Sequence, residues 1–193
     1  MLEKTLENLL KTALLPIGKT MYIYGGGWNE KDTGAGIEAM TLGIDPKWAE
    51  FAQKQDSSYN FKDYDYKQNK EYIHLGLDCS GYIGWLLYNI FQDKGYVDFS
   101  RKIANNLATE NKGKVKKAKY ITEYKAGDIM SGDSVSHVWL SLGPCNDGSV
   151  VILHSSPSGV HISGTPTPKG IENSHAIDLA NKYMDKYYPV WNK

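Results

Sequence analysis

The residues of this chain best placed to do chemistry lie around "LDCSG", Leu77 to Gly81, where Cys79 stands between an aspartate and a serine ahead of a strongly apolar run. A cysteine in the first turn of a buried helix faces unpaired N–H groups and the positive end of the helix dipole, both of which favour a thiolate. With a basic partner nearby, such placement brings a thiol from about 8.5 into the range of roughly 3.5–7.5. Gly81 would leave room for a substrate to approach. Asp78 reads equally as the helix N-cap or as a ligand-binding carboxylate. The plain alternative for Cys79 is a small core residue at the start of a helix.

A cysteine nucleophile needs a base. Of the five histidines, His137 opens "HVWLSLG" and His154 lies near the end of "VVILHSS". The "CNDG" segment between them carries Asp147-Gly148, a hairpin signal. A hairpin there brings His137 and His154 to the same end of a sheet as cross-strand neighbours. One can then act as base while the other orients it, the logic of a catalytic triad. His74, His161 and His175 have no part in this scheme. Cys79, His137 and His154 could instead hold zinc, but no ligand pair has the close spacing of common zinc sites. A third reading is a peptide-binding module that keeps the shape of a catalytic site without its activity.

These residues need elements to position them. Leu2, Leu6, Leu9, Leu10, Ala13 and Leu14 follow helical spacing and predict an amphipathic helix packed on the domain, broken by Pro16 and Gly18. "MYIY" alternates Met21 and Ile23 with Tyr22 and Tyr24, an extended segment that ends in a glycine turn. The stretch 28–76 is too long for a structureless loop and reads as an insertion with structure of its own, including a helix at "KWAEFAQKQ". From Cys79 to Phe91 the pattern is apolar nearly all round, so this helix should be central and buried, with Gly95 as its C-terminal cap. Residues 100–117 read as polar helix and loop. Three strands are expected, at "SHVWLSLG", "SVVILHSS" and "GVHISG", the last two joined by a turn at Ser156 to Gly159. A helix follows at "AIDLANKYMDKYY". Helices first and antiparallel strands after them make an α+β arrangement, read as one domain over 1–193 without internal repeats.

Composition narrows the function classes. The 193 residues carry 22 Lys plus Arg and 22 Asp plus Glu, a balance that argues against nucleic-acid binding. A chain of this length buries about 70% of its unfolded surface and needs neither metal nor disulfide to fold. Two cysteines make no disulfide framework. The chain has no apolar run long enough for a transmembrane helix. The first residues do not form a clear signal peptide, since Glu3 and Lys11 interrupt the pattern, so export is not indicated.

Taken in order, "YIYGGG" (Tyr22–Gly27), "LDCSGYIGW" (Leu77–Trp85), "KAGDI" (Lys125–Ile129), "SHVWLSLG" (Ser136–Gly143) and "ILHSSPSGVHIS" (Ile152–Ser163) resemble the NlpC/P60 family of papain-like cysteine peptidases. The resemblance implies a papain-like α+β core with the nucleophile helix packed on an antiparallel sheet. It implies hydrolysis of bacterial cell-wall peptides, between D-γ-glutamate and a diamino acid, through an acyl-enzyme and without metal or organic cofactor. Carried onto this chain, Cys79 is the nucleophile, His137 the base and His154 the orienting residue. Tyr22 matches a tyrosine near the oxyanion site, though it also reads as an ordinary packed strand tyrosine. Asp78 and Ser80 match positions lining the substrate cleft, and the Cys79 N–H should donate to the oxyanion.

Three features depart from the family pattern. The insertion at 28–76 enters beside the site, where its tyrosines Tyr59, Tyr64, Tyr66 and Tyr72 offer rigid substrate contacts. Trp139 stands where a glycine is common and should share a face with His137. No cell-wall-binding repeat accompanies the catalytic part.

Overall fold

Burial of one helix on all sides organises the protein. In the computed structural model, which describes residues 2–28, 35–98, 103–116, 124–131 and 137–187, α3 (Cys79–Phe91) buries eleven of its thirteen residues. Trp85, Tyr82, Ile83 and Leu86 are fully enclosed, with Val138, Leu140 and Leu153 of the sheet in the same core. The helix starts at Asp78, whose carboxylate accepts from the Gly81 N–H at 2.7 Å. It ends at Gln92 in the left-handed region (φ 50°), with the Gln92 N–H on the Tyr88 carbonyl. Gly95 is therefore not the cap. Asp93 accepts from the Gly95 N–H at 2.8 Å and starts a separate 3-10 turn over Lys94–Tyr96, so the chain has already left the helix.

Packed on α3 is a four-stranded antiparallel sheet in the order β1 (Ile129–Ser131), β2 (Val138–Pro144), β3 (Val150–Ser156), β4 (Gly159–Gly164). With the helices, this is an α+β fold. β1 was not among the three expected strands; at three residues it is too short to display alternation. The β2–β3 turn closes with the Cys145 N–H on the Ser149 carbonyl, and Gly148 takes φ 80°, as the Asp-Gly signal requires. Ser156 pairs with Gly159 across a two-residue loop, and Gly159 takes φ 94°. The register of β2 on β3 shifts between Ser141 and Gly143, a bulge that separates the turn from the end bearing the histidines.

The remaining helices frame this unit. In α1 (Leu6–Leu14), capped by Thr5, Leu9, Leu10 and Leu14 pack on the core, and the Tyr82 hydroxyl donates to the Ala13 carbonyl. Leu2 and Leu6, expected on the buried face, are 49% and 51% exposed. The insertion contains α2 (Pro46–Gln53) and three 3-10 turns. It is fastened to α3 by Trp85 Nε1–H on the Gly43 carbonyl and by Asn89, which accepts from the Gly43 N–H and donates to the Thr41 carbonyl. It returns through a parallel bridge of Gly76 with Met21. Past α4 (Ile103–Thr109) and the sheet, α5 (His175–Tyr187) lies against β4 at Gly164, where any side chain would collide with the Ala176 backbone. No helix among the described residues is long and apolar enough to cross a membrane. Residues 29–34 of the insertion, 100–102 and 117 of the expected helix and loop, Ser136 of the first expected strand and Tyr188 of the last helix lie outside the described residues.

Candidate active site

Cys79 sits at the first position of α3 and is 7% exposed. The N–H groups of Val138, Ser80 and Cys79 itself are directed at its sulfur. They favour the thiolate, as the helix start predicts, but burial and the neighbouring Asp78 carboxylate outweigh them and push the thiol up to about 11. The expected depressed thiol is thus not what this setting produces; the depth of burial decides the sign. Gly81 does not open space for substrate either. A Cβ there would collide with the Gly26 carbonyl, so Gly81 lets the Gly25–Gly27 turn pack directly on the helix. Cys79 and Cys145 do not form a disulfide.

Asp78 serves as the N-cap. It accepts from the Gly81 N–H, from the Ser80 hydroxyl at 3.0 Å, and from the N–H groups of Ser80 and Gly25. Burial nevertheless pushes its carboxyl up to about 6 against those donors. Ser80 is buried, with its hydroxyl turned to Asp78. Tyr22, on the extended segment beside the Gly25–Gly27 turn, has its phenol within electrostatic reach of Asp78 and Cys79; burial foremost, then those two groups, raises it well above the ordinary tyrosine value.

The histidines meet as the hairpin predicts, though diagonally. With Leu140 facing Leu153, His154 lies one residue past that pair on β3, and His137 lies three residues past it on the facing chain, immediately before β2 begins. Their contact is His137 Nε2 to His154 Nδ1 at 2.7 Å. His154 Nε2 in turn meets Ser163 Oγ at 2.5 Å. Burial first, then His161 and His137, holds His154 down at about 3, and burial followed by His161 lowers His137. Both rings are neutral near pH 7. One consistent proton arrangement has His137 Nε2–H donating to His154 Nδ1 and His154 Nε2–H donating to Ser163. That arrangement leaves a lone pair on His137 Nδ1, the atom a base needs. His137 directly precedes Val138, whose N–H faces the thiol.

Ser163 and His161 were not singled out from sequence. His161 pairs with His154 across β3–β4, and their ring centroids are 4.5 Å apart. Its Nδ1–H donates to the Gly159 carbonyl at 2.9 Å. The signal was present in the Ser156–Gly159 turn. A two-residue loop there fixes His154 opposite His161 and leaves Ser163 on the same face two residues on. Trp139 shares the His137 face as expected, with ring centroids 5.4 Å apart and its Nε1–H on Met130 Sδ at 3.1 Å. Of the other histidines, His74 contacts the buried carboxylate of Glu38, and His175 starts α5 with its N–H on Asp147. Among the described residues no three His, Cys, Asp or Glu side chains are grouped to hold a metal ion.

The structure therefore gathers Cys79, Asp78, Ser80 and Tyr22 at the start of α3, and His137, Ser163 and His161 around His154, from the residue before β2 across β3 to β4. No protein-family model, curated protein or solved structure matches the chain.

Proposed function

We propose that the protein is a cysteine peptidase or amidase with an NlpC/P60-like, papain-like core, hydrolysing D-γ-glutamyl–diamino acid bonds in peptides derived from the bacterial cell wall. One observation carries the reading: an imidazole relay, His137–His154–Ser163, ends one residue from the N–H that faces a cysteine at a helix start.

In this mechanism the resting thiol and imidazole are both neutral. As the Cys79 sulfur attacks the amide carbonyl, its proton passes to His137 Nδ1, and the positive ring is steadied by donating its Nε2–H to His154. The Cys79 N–H donates to the developing oxyanion. The C–N bond then breaks as His137 returns the proton to the leaving amine, giving a thioester on Cys79. Water, deprotonated by His137, attacks the thioester; the acid leaves and the thiol is regenerated. Tyr22, Asp78 and Ser80 border the substrate in this reading, with Asp78 and Ser80 also holding the helix start. The same residues would serve another amide or acyl transfer on the same core.

Digesting defined muropeptides and reading the products by mass spectrometry tests the proposal. The wild-type protein should split a γ-D-glutamyl–diamino acid bond with the gain of one water, and Cys79→Ala should give no products. A second reading, a silent peptide-binding module, draws support from the enclosure of Cys79 and its raised pKa. Peptide binding without any cleavage by the wild-type protein would establish it instead.

A further inference from the structure

Tyr22 reaches the nucleophile from the core side of the fold, yet the side chains that hold it come from the insertion. The Phe61 ring meets the Tyr22 ring edge-on, with centroids 5.3 Å apart at 88°. The Tyr59 hydroxyl donates to the Tyr22 carbonyl at 2.5 Å. Behind them the rings continue: Tyr59 stacks on Tyr64 at 5.5 Å, and Phe51 of α2 stands edge-on to both at 6.1 and 4.8 Å. Tyr72 closes the group against Tyr64 at 5.4 Å. Met21 and Ile23, the neighbours of Tyr22 in the chain, are fully buried in a small core with Phe51 and Ala52, apart from the main one. Tyr59, Tyr64 and Tyr72 thus contact one another and the Tyr22 segment while staying partly exposed, and Tyr66, the fourth tyrosine of the insertion expected to meet substrate, stacks on Tyr24 with ring centroids 6.4 Å apart.

We propose that the insertion is a brace for Tyr22, with Phe61 and Tyr59 as positioning residues that aim its phenol at the Cys79–Asp78 side of the cleft. The inference rests on the cysteine-peptidase reading, in which that phenol borders the reacting carbonyl. An extended segment beside a glycine turn fixes its own side chains poorly. An edge-on ring on one side and a hydrogen bond to the main chain on the other restrict both the Tyr22 rotamer and the path of its backbone. Phe61 and Tyr59 touch no reacting atom in this scheme, so their effect passes through Tyr22 alone.

The test is a double-mutant cycle with a γ-D-glutamyl–diamino acid peptide as substrate. Phe61→Ala should lower kcat about tenfold with little change in KM, the cost of a misplaced group. Phe61→Tyr, which keeps the ring edge, should restore activity. Tyr59→Phe, which keeps the ring and removes the donor, should give a smaller loss. In a Tyr22→Phe background Phe61→Ala should cost nothing further; an undiminished loss there overturns the brace. A second readout needs no substrate. With tyrosine labelled at ring carbon Cζ, the Tyr22 resonance, assigned by its disappearance in Tyr22→Phe, should move in Phe61→Ala and stay in place in Phe61→Tyr. An unmoved resonance in Phe61→Ala overturns the brace. If the wild-type protein cleaves no such peptide, the proposed function falls and the resonance alone decides the brace.

Discussion

The Ser155 hydroxyl donates to the Leu77 carbonyl at 2.7 Å, and both residues are fully buried. The Leu77 N–H donates to the Met21 carbonyl at 3.2 Å. Leu77 is thus a junction: two residues before Cys79, bonded to Ser155, the neighbour of His154, and to Met21, the neighbour of Tyr22. Three candidate site residues from distant parts of the chain are set relative to one another by one main-chain unit.

Ser155→Ala should therefore affect chemistry as well as stability. It leaves the buried Leu77 carbonyl without its partner, at a cost of about 1–3 kcal/mol. In a domain of this size that lowers the melting temperature by about 2–4 °C per kcal/mol. The slackened junction should also lower kcat about tenfold at unchanged KM. Kinetics well below the melting temperature separate the two effects: a variant that melts earlier but keeps full kcat would limit Ser155 to stability.

Cys79→Ala should abolish hydrolysis and leave the fold intact, because alanine suits the first turn of a buried helix. Cys145→Ala should do little, since Cys145 contributes main-chain groups to a hairpin turn. Circular dichroism alongside peptide cleavage checks both variants, and equal losses of activity in the two would remove Cys79 from the mechanism.

The parts of this arrangement that sequence revealed are those set by local pattern. The apolar surround of Tyr82, Trp85 and Leu86 predicted a buried helix, and Asp147-Gly148 predicted the hairpin that brings His137 to His154. What escaped depended on depth and distance. The thiol pKa turns on how far Cys79 is enclosed, which spacing does not encode. The aromatic group around Tyr59 and Phe61 joins residues whose only common feature is where the insertion folds back. β1 is too short to show a period, and Gly95 looked like a cap because nothing local marks Gln92 as the residue that turns left-handed. The positions of Ser163 and His161 follow from the register of the second hairpin, which the two-residue loop between Ser156 and Gly159 sets, and not from any pattern in their own segment.

The histidines should be functionally unequal. His137 handles the thiol proton, so His137→Ala should cost about 10²–10⁴ in rate. It should also slow alkylation of Cys79 by iodoacetamide at pH 7, which a merely structural histidine would not do. His154→Gln should keep partial activity, because the amide can still accept from His137 Nε2–H. Ser163→Ala should be milder again, removing only the far end of the relay. If His154→Gln proved as inactive as His137→Ala, the roles of the two rings would have to be exchanged.

Acid should expose His154 through stability, with a sign the structure specifies. Burial holds its folded pKa at about 3, below the ordinary 6.5, so the unfolded chain takes up this proton first. Across that window the unfolded state binds more protons, and the folded state loses stability as pH falls, by up to about 1.4 kcal/mol per pH unit for one such group. Asp78 acts in the opposite sense. Its carboxyl is raised from the ordinary 3.8 to about 6, so between those values the folded state takes the proton first and gains stability as pH falls. The two partly offset one another between about pH 6 and 4, and below that His154 acts without the offset. His137 and His161, lowered chiefly by burial, add to the His154 side. Urea midpoints from pH 7 to 4 should therefore fall in the wild-type protein and fall less in His154→Gln. They should fall more steeply in Asp78→Asn, which keeps a capping side chain but removes the offsetting carboxyl. Parallel pH profiles for the wild-type protein and His154→Gln would mean that His154 is not enclosed as the His137 and Ser163 contacts require.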